Sequence, residues 1–254
     1  HHTYTRILLL YLSDEGEFST SLKKRELNKH RVGIKHKINY EYIMSWYHFD
    51  DEWSNVKPKL AFKQLPMMEV EDGTQICQSI AILQYIENLG GLKISDPVKA
   101  AEATAVLQSA QELFAPLNPT VNFAVGQDFN NKRDSMRINL ESRFSDLARY
   151  LDKHEGRYFI DDTPRAAEFA CFHHLDLSRE LDPEILKKFP RLIKFVKDIE
   201  DIDAVSTYLK NRPELVGVGR EPKLVINGTE HPTGVKTVSY THLRAHETEA
   251  DLVC

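Results

Sequence analysis

The spacing of apolar residues changes character along the chain. Between residues 60 and 77 short apolar runs are broken by turn residues. Met67, Met68 and Val70 are followed by Asp72-Gly73 and then by Gln75, Ile76 and Cys77, the pattern of a hairpin with its turn at the Asp-Gly pair. From residue 79 onward apolar positions recur every three or four residues instead. Ile82, Leu83 and Ile86 predict a helix over 79–88 that stops at Gly90-Gly91. Asp96-Pro97 is a cap and first-turn pair, and the helix it opens carries Val98, Ala101, Leu107, Ala110, Leu113 and Phe114. Met136, Leu140, Phe144, Leu147 and Leu151 mark a further amphipathic helix. Thr163-Pro164 is expected to cap a third, buried helix, and 184–188, 190–201 and 203–210 read as shorter helical pieces separated by Pro190 and Pro213. Upstream, 5–12 and 40–49 read as strands, while 19–31 is strongly charged and shows no apolar stripe. The pattern is a strand-containing α/β unit followed by an all-α unit.

Composition narrows the class. The 254 residues are 41% hydrophobic and 28% charged with 11 glycines and 11 prolines, which excludes collagen-like and low-complexity chains. A net charge of −5 gives no basic footprint for nucleic acid or an acidic membrane, so neither is expected as a partner. Cys77, Cys171 and Cys254 form neither a disulfide framework nor a metal-ligand spacing, which fits a reduced, cytoplasmic protein. The apolar run 7–12 is too short for a secretory core or a membrane span. Asn227-Gly228-Thr229 has the form of a glycosylation acceptor and is read as a turn.

Both ends call for separate treatment. The chain opens on His1-His2 without methionine, so it reads as a fragment or a translated open frame whose true start is unknown. Residues 237–254 reverse-translate into a sequencing-library adapter and are expected to pack against nothing. The four-residue spacing of His242 and His246 therefore carries no metal-site expectation. Elsewhere, His173 and His174 are adjacent on a predicted helix and point to different faces, which disfavours a shared metal. Cys77, in a predicted strand, reads as a small buried hydrophobe rather than a nucleophile.

Candidate chemistry gathers around the hairpin. A Leu65-Pro66 step beside a strand is a candidate cis bond, which would turn the Leu65 amide and carbonyl toward an extended peptide. Gln78 and Ser79 fall at a helix start, where free N–H groups and the dipole favour an anion by roughly 0.3–1 kcal/mol. Singly, each has a plainer reading: Ser79 as a cap, Trp53 as a core aromatic, Lys57 as a solvated charge, Pro66 as a trans strand-start proline.

Taken in order, these stretches resemble the cytosolic glutathione transferase family: Asp51 to Trp53, Lys57 to Lys59, Phe62 to Pro66, Glu69-Val70 with Asp72-Gly73, and Gln78-Ser79 through Ile86. Residues 188–192 and 204–213 look most like its sigma class, which includes the glutathione-dependent prostaglandin D synthases. The resemblance implies a thioredoxin-like domain over 1–89, in which 1–33 departs from the family pattern, and an all-α domain over 90–213. An extension over 214–236 and the adapter-like 237–254 follow. It implies glutathione as co-substrate, held by Tyr11, Trp53, Lys57, Gln64, Leu65, Pro66, Gln78 and Ser79, with the Tyr11 hydroxyl stabilising the thiolate and no metal. The implied reaction is attack of that thiolate on a small apolar electrophile, or isomerisation of a lipid peroxide, in a cytoplasmic homodimer. Around Tyr11 the family pattern is altered: Leu12 replaces its phenylalanine, Glu15 its arginine, and 19–24 lacks the expected apolar helix face. A non-catalytic binding or structural protein on the same fold is the alternative implied by that altered first strand.

Overall fold

The computed structural model describes residues 55, 57–64, 66–70, 72–226 and 228–233. The sequence expectations for strands at 5–12 and 40–49, and for the packing of 237–254, lie outside them.

The hairpin forms where the Asp-Gly pair demanded it. Strands β1 (Met67–Glu69) and β2 (Gln75–Cys77) pair antiparallel, with Met67 opposite Cys77, Met68 opposite Ile76 and Glu69 opposite Gln75. Val70 N donates to Thr74 O at 3.0 Å, and the Asp72 carboxylate accepts from Thr74 N at 2.9 Å, so the acid closes the turn on its own backbone. Gly73 takes φ +83°, a conformation that L side chains rarely adopt. Helix α1 (Ser79–Leu89) follows at once and buries Ile82, Leu83 and Ile86 on one face before ending at Gly90.

The rest is mainly helical. Asp96 caps α2 (Pro97–Gln111) by accepting from Val98 N at 2.8 Å and Lys99 N at 3.2 Å, as its position before Pro97 predicts. The expected single helix through Phe114 is instead broken, and α3 (Phe114–Phe123) starts afresh. Pro116 has no N–H to continue the α2 ladder, which accounts for the break. Helix α4 (Gly126–Asp152) runs 27 residues and buries Phe129, Leu140, Phe144, Leu147 and Leu151. Helix α5 (Ala166–Leu181) lies at the centre, packed against α1, α2, α3 and α6 (Pro190–Glu200), with Phe169, Ala170, Cys171, Phe172, His174 and Leu175 inaccessible to solvent. Helix α7 (Asp203–Asn211) closes the series.

Two local expectations need correction. Residues 183–188 form turns rather than a helix, held by short bonds such as Ile185 N to Asp182 O and Lys187 N to Glu184 O. The cap of α5 is Arg165, not Thr163-Pro164. A guanidinium has only donors, so the cap is satisfied from the other side: the Glu168 carboxylate accepts from Arg165 N at 2.8 Å and from Phe159 N at 3.1 Å.

This helix start also joins the two units. Glu87 of α1 reaches over to accept from Ala166 N at 3.0 Å. Arg165 binds both oxygens of Asp161 at 2.8 and 2.9 Å and donates from Nε to Leu92 O at 3.2 Å, in the link between α1 and α2. Burial pushes the Glu168 carboxyl up to about 7, outweighing its backbone donors and the Arg165 guanidinium, which pull it down.

Beyond α7, where the sequence pattern gave no element, β3 (Glu214–Val216), β4 (Lys223–Ile226) and β5 (Thr229–Pro232) form an antiparallel sheet in that order. Gly219 lies so close to Phe129 that an added Cβ would meet the ring at 2.6 Å, and Gly219 O accepts from Gly126 N at 2.8 Å. The Thr233 hydroxyl donates to Asn122 O. The sheet is thus fastened across the α3–α4 elbow.

Candidate functional site

The site is built at the open end of the β1–β2 hairpin. Because Met67 pairs with Cys77, the residues entering β1 and those leaving β2 emerge side by side. Pro66 and Gln64 lie on the entering side, Gln78 and Ser79 on the leaving side. Of the eight residues singled out from sequence, the register sets Pro66 and Gln78 just outside its last pair, with Gln64 and Ser79 farther along the same two chain segments. Gln64 and Gln78 are exposed, Pro66 is half-buried and Ser79 is buried. Lys57 is exposed in a 3-10 turn, Lys57–Lys59. Tyr11, Trp53 and Leu65 lie outside the described residues, and with Leu65 goes the candidate cis bond.

Gln78 has φ +75° and ψ 123°, a left-handed backbone for a side-chain-bearing residue, which costs on the order of 1–3 kcal/mol. Its side chain makes no capping bond to α1. The first α1 ladder bond is Ile82 N to Gln78 O at 3.0 Å, so the amides before it form the positively polarised end of the helix beside Gln78 and Ser79. A carboxylate fits that end.

The side chain of Gln75 ties the segment carrying Lys57 and Gln64 to β2. Gln75 Oε1 accepts from Ala61 N at 2.9 Å, and Gln75 Nε2 donates to Lys59 O at 3.2 Å. Leu60 of the same segment is buried, at 5% exposure, and Lys63 turns the segment with φ +55°. From sequence Gln75 was legible only as part of a short strand; a polar amide within an otherwise apolar run was the available signal.

The remaining reactive side chains are placed elsewhere. Cys77 is buried at 7% exposure, in line with its reading as a hydrophobe. Cys171 is fully enclosed, and burial, with Glu168 nearby, pushes its thiol well up, so it carries no thiolate at neutral pH. His173 and His174 have ring centroids 5.0 Å apart; His174 lies edge-on to Phe114 at 6.0 Å, and burial lowers its pKa to about 3. Among the described residues no group of three or more His, Cys, Asp or Glu side chains could hold a metal ion. Among them, too, no helix is long and apolar enough to cross a membrane.

Residues 32–88 match the family model for the glutathione S-transferase N-terminal domain, and residues 117–212 match that for its C-terminal domain. The chain belongs to the glutathione S-transferase family. Its fold is a thioredoxin-like N-terminal domain joined to a helical C-terminal one. Glutathione S-transferase 1 of Ascaris suum is 24% identical over 168 residues, covering 65% of this chain and 81% of the relative. The hematopoietic prostaglandin D synthase of Gallus gallus is 29% identical over 168 residues, covering 64% of this chain and 80% of the relative. The solved structure of rat hPGDS complexed with a quinoline superposes with a TM-score of 0.63 at 20% identity, over 83% of this chain and 91% of that one. Trp53, Lys57, Gln64, Leu65, Pro66, Gln78 and Ser79 all fall within the N-terminal glutathione S-transferase match, and Tyr11 falls before it.

Proposed function

We propose that this glutathione S-transferase binds glutathione at the open end of the β1–β2 hairpin and joins its sulfur to a small apolar electrophile. The observation that supports this reading is the Met67–Cys77 register, which sets Pro66 and Gln78, the residues just outside that pair, at the open end of the hairpin beside the α1 N-terminus. The γ-glutamyl carboxylate meets Gln78, Ser79 and the helix end; the peptide backbone of glutathione runs along Leu65 as an added strand; Lys57 and Trp53 take the glycine end. Tyr11 donates a hydrogen bond to the sulfur. A thiol titrating near ~8.5 is mostly protonated at neutral pH, and each unit of lowering requires about 1.4 kcal/mol of thiolate stabilisation. The thiolate then forms a carbon–sulfur bond as the leaving group departs with its electron pair. The protein works in the cytosol as a homodimer, and glutathione is consumed as co-substrate.

Turnover of glutathione with 1-chloro-2,4-dinitrobenzene, followed by absorbance, tests the reading. The chain is expected to turn over, and Tyr11→Phe is expected to lower kcat about a hundredfold, the scale of losing one donor to a developing or resting anion. Retention on immobilised glutathione should survive that substitution. Turnover unchanged in Tyr11→Phe would remove Tyr11 from the mechanism, and failure of the unsubstituted chain to bind glutathione would remove the function.

A further inference from the structure

We infer that Gln75 is a positioning residue for glutathione binding: its amide locks the 57–64 segment to β2 and thereby fixes the two sides of the binding edge relative to each other. The inference rests on the glutathione reading above.

Gln75 is well placed for this. It lies in β2 two residues before Cys77, after which the chain passes directly to Gln78 and Ser79. Its side chain reaches 14 and 16 residues back along the chain, where Ala61 N donates to Oε1 at 2.9 Å and Lys59 O accepts from Nε2 at 3.2 Å. Both functional ends of one amide are used, and they bind the two sides of Leu60, the buried anchor of that segment. On one side of this clasp lie Lys57 and Gln64; on the other, covalently continuous with β2, lie Gln78 and Ser79. Among the described residues the segment's own backbone bonds are two short turns, Leu60 N to Lys57 O at 3.2 Å and Lys63 N to Leu60 O at 3.1 Å. Such turns set its local shape and not its distance from β2. Among the described residues, Gln75 supplies directional bonds that tie the segment to β2.

A clasp of this kind acts on binding. If the two sides are not held at the right separation, glutathione must order the segment as it binds, and its apparent affinity falls by the fraction of time the segment is correctly placed. The bound complex, once formed, is unaltered, so kcat at saturating glutathione stays put. Gln75 itself touches no reacting atom.

The test uses the full chain and two substitutions. Gln75→Met keeps the length and bulk of the side chain and removes both hydrogen bonds; Gln75→Ala removes the bulk as well. Each is expected to raise KM for glutathione about threefold to tenfold, the scale of one to two net hydrogen bonds, with kcat changed less than about twofold. Amide hydrogen exchange at Ala61 should quicken in both, since its acceptor is gone, while exchange within α5 stays as it was. A wild-type KM in Gln75→Met would overturn the proposal, showing that the side chain acts by packing alone. Equal loss of kcat and of thermal stability in both variants would also overturn it. Absence of glutathione binding by the unsubstituted chain overturns both this inference and the function it rests on, an outcome distinct from binding that is indifferent to residue 75.

Discussion

The α5-centred core and the hairpin edge are held together in opposite ways. Around α5, Phe169, Phe172 and Leu175 are enclosed on all sides, and even the charged groups at its start, Glu168, Arg165 and Asp161, are matched to specific donors and acceptors. At the hairpin edge the strands are three residues long, Gln64 and Gln78 face solvent, and one glutamine side chain ties the incoming segment in place. The contrast shows a division of labour. The helical unit is held by buried apolar contact, and the small edge exposes polar side chains at the surface. Glu87 is where the two meet, since it belongs to α1 and caps α5.

Substitutions should separate the two regions. The largest effect is expected from Phe172→Ala, which opens a cavity in the fully buried face of α5 and should cost about 3–5 kcal/mol in denaturant unfolding. Next comes Glu168. Its folded pKa of about 7 lies above its ordinary value of 4.5, so the folded state holds the proton more tightly than the unfolded chain does. Its contribution to stability is therefore complete below pH 4.5 and lost as pH rises toward 7, a change on the order of 3 kcal/mol. Melting curves across that window should fall less steeply with pH for Glu168→Gln than for the unsubstituted chain; parallel curves would show that Glu168 does not titrate there. The smallest effect belongs to Asp96→Ala, which removes an exposed helix cap and should cost about 1 kcal/mol without altering glutathione binding. A loss of binding in that variant would show the edge and the helical unit to be more tightly coupled than the contacts indicate.

The helices were legible because their signals are strong and local. Asp96-Pro97, Gly90 and the spacing of Leu140, Phe144, Leu147 and Leu151 each state a boundary or a face in neighbouring residues. The hairpin was legible from Asp72-Gly73 for the same reason. Apart from the α2–α3 break, which Pro116 dictates locally, the structure departed from the reading where a partner distant in sequence or a short element decided it. Arg165 became a cap through Glu168 and Glu87, although an arginine gives no capping signal of its own. The β3–β5 sheet, of three- and four-residue strands, is too brief for an alternation to stand out and depends on the α3–α4 elbow for its footing. At the site, Gln64, Pro66, Gln78 and Ser79 were legible as a set only through their order along the chain. The register of Met67 with Cys77 then sets Pro66 and Gln78 at the open end of the hairpin. The tie from Gln75 to Ala61 was invisible, because nothing in a strand sequence shows which loop its side chain will meet.

The most direct test of the central claim is a calorimetric titration of glutathione into the unsubstituted chain and into Ser79→Ala. Saturable binding at one site per chain is expected, weakened about tenfold by the loss of one hydrogen bond to a carboxylate in Ser79→Ala, with thermal stability held close to the unsubstituted value. Binding of equal strength in the two proteins, or no binding in either, would contradict a glutathione site at the open end of the hairpin.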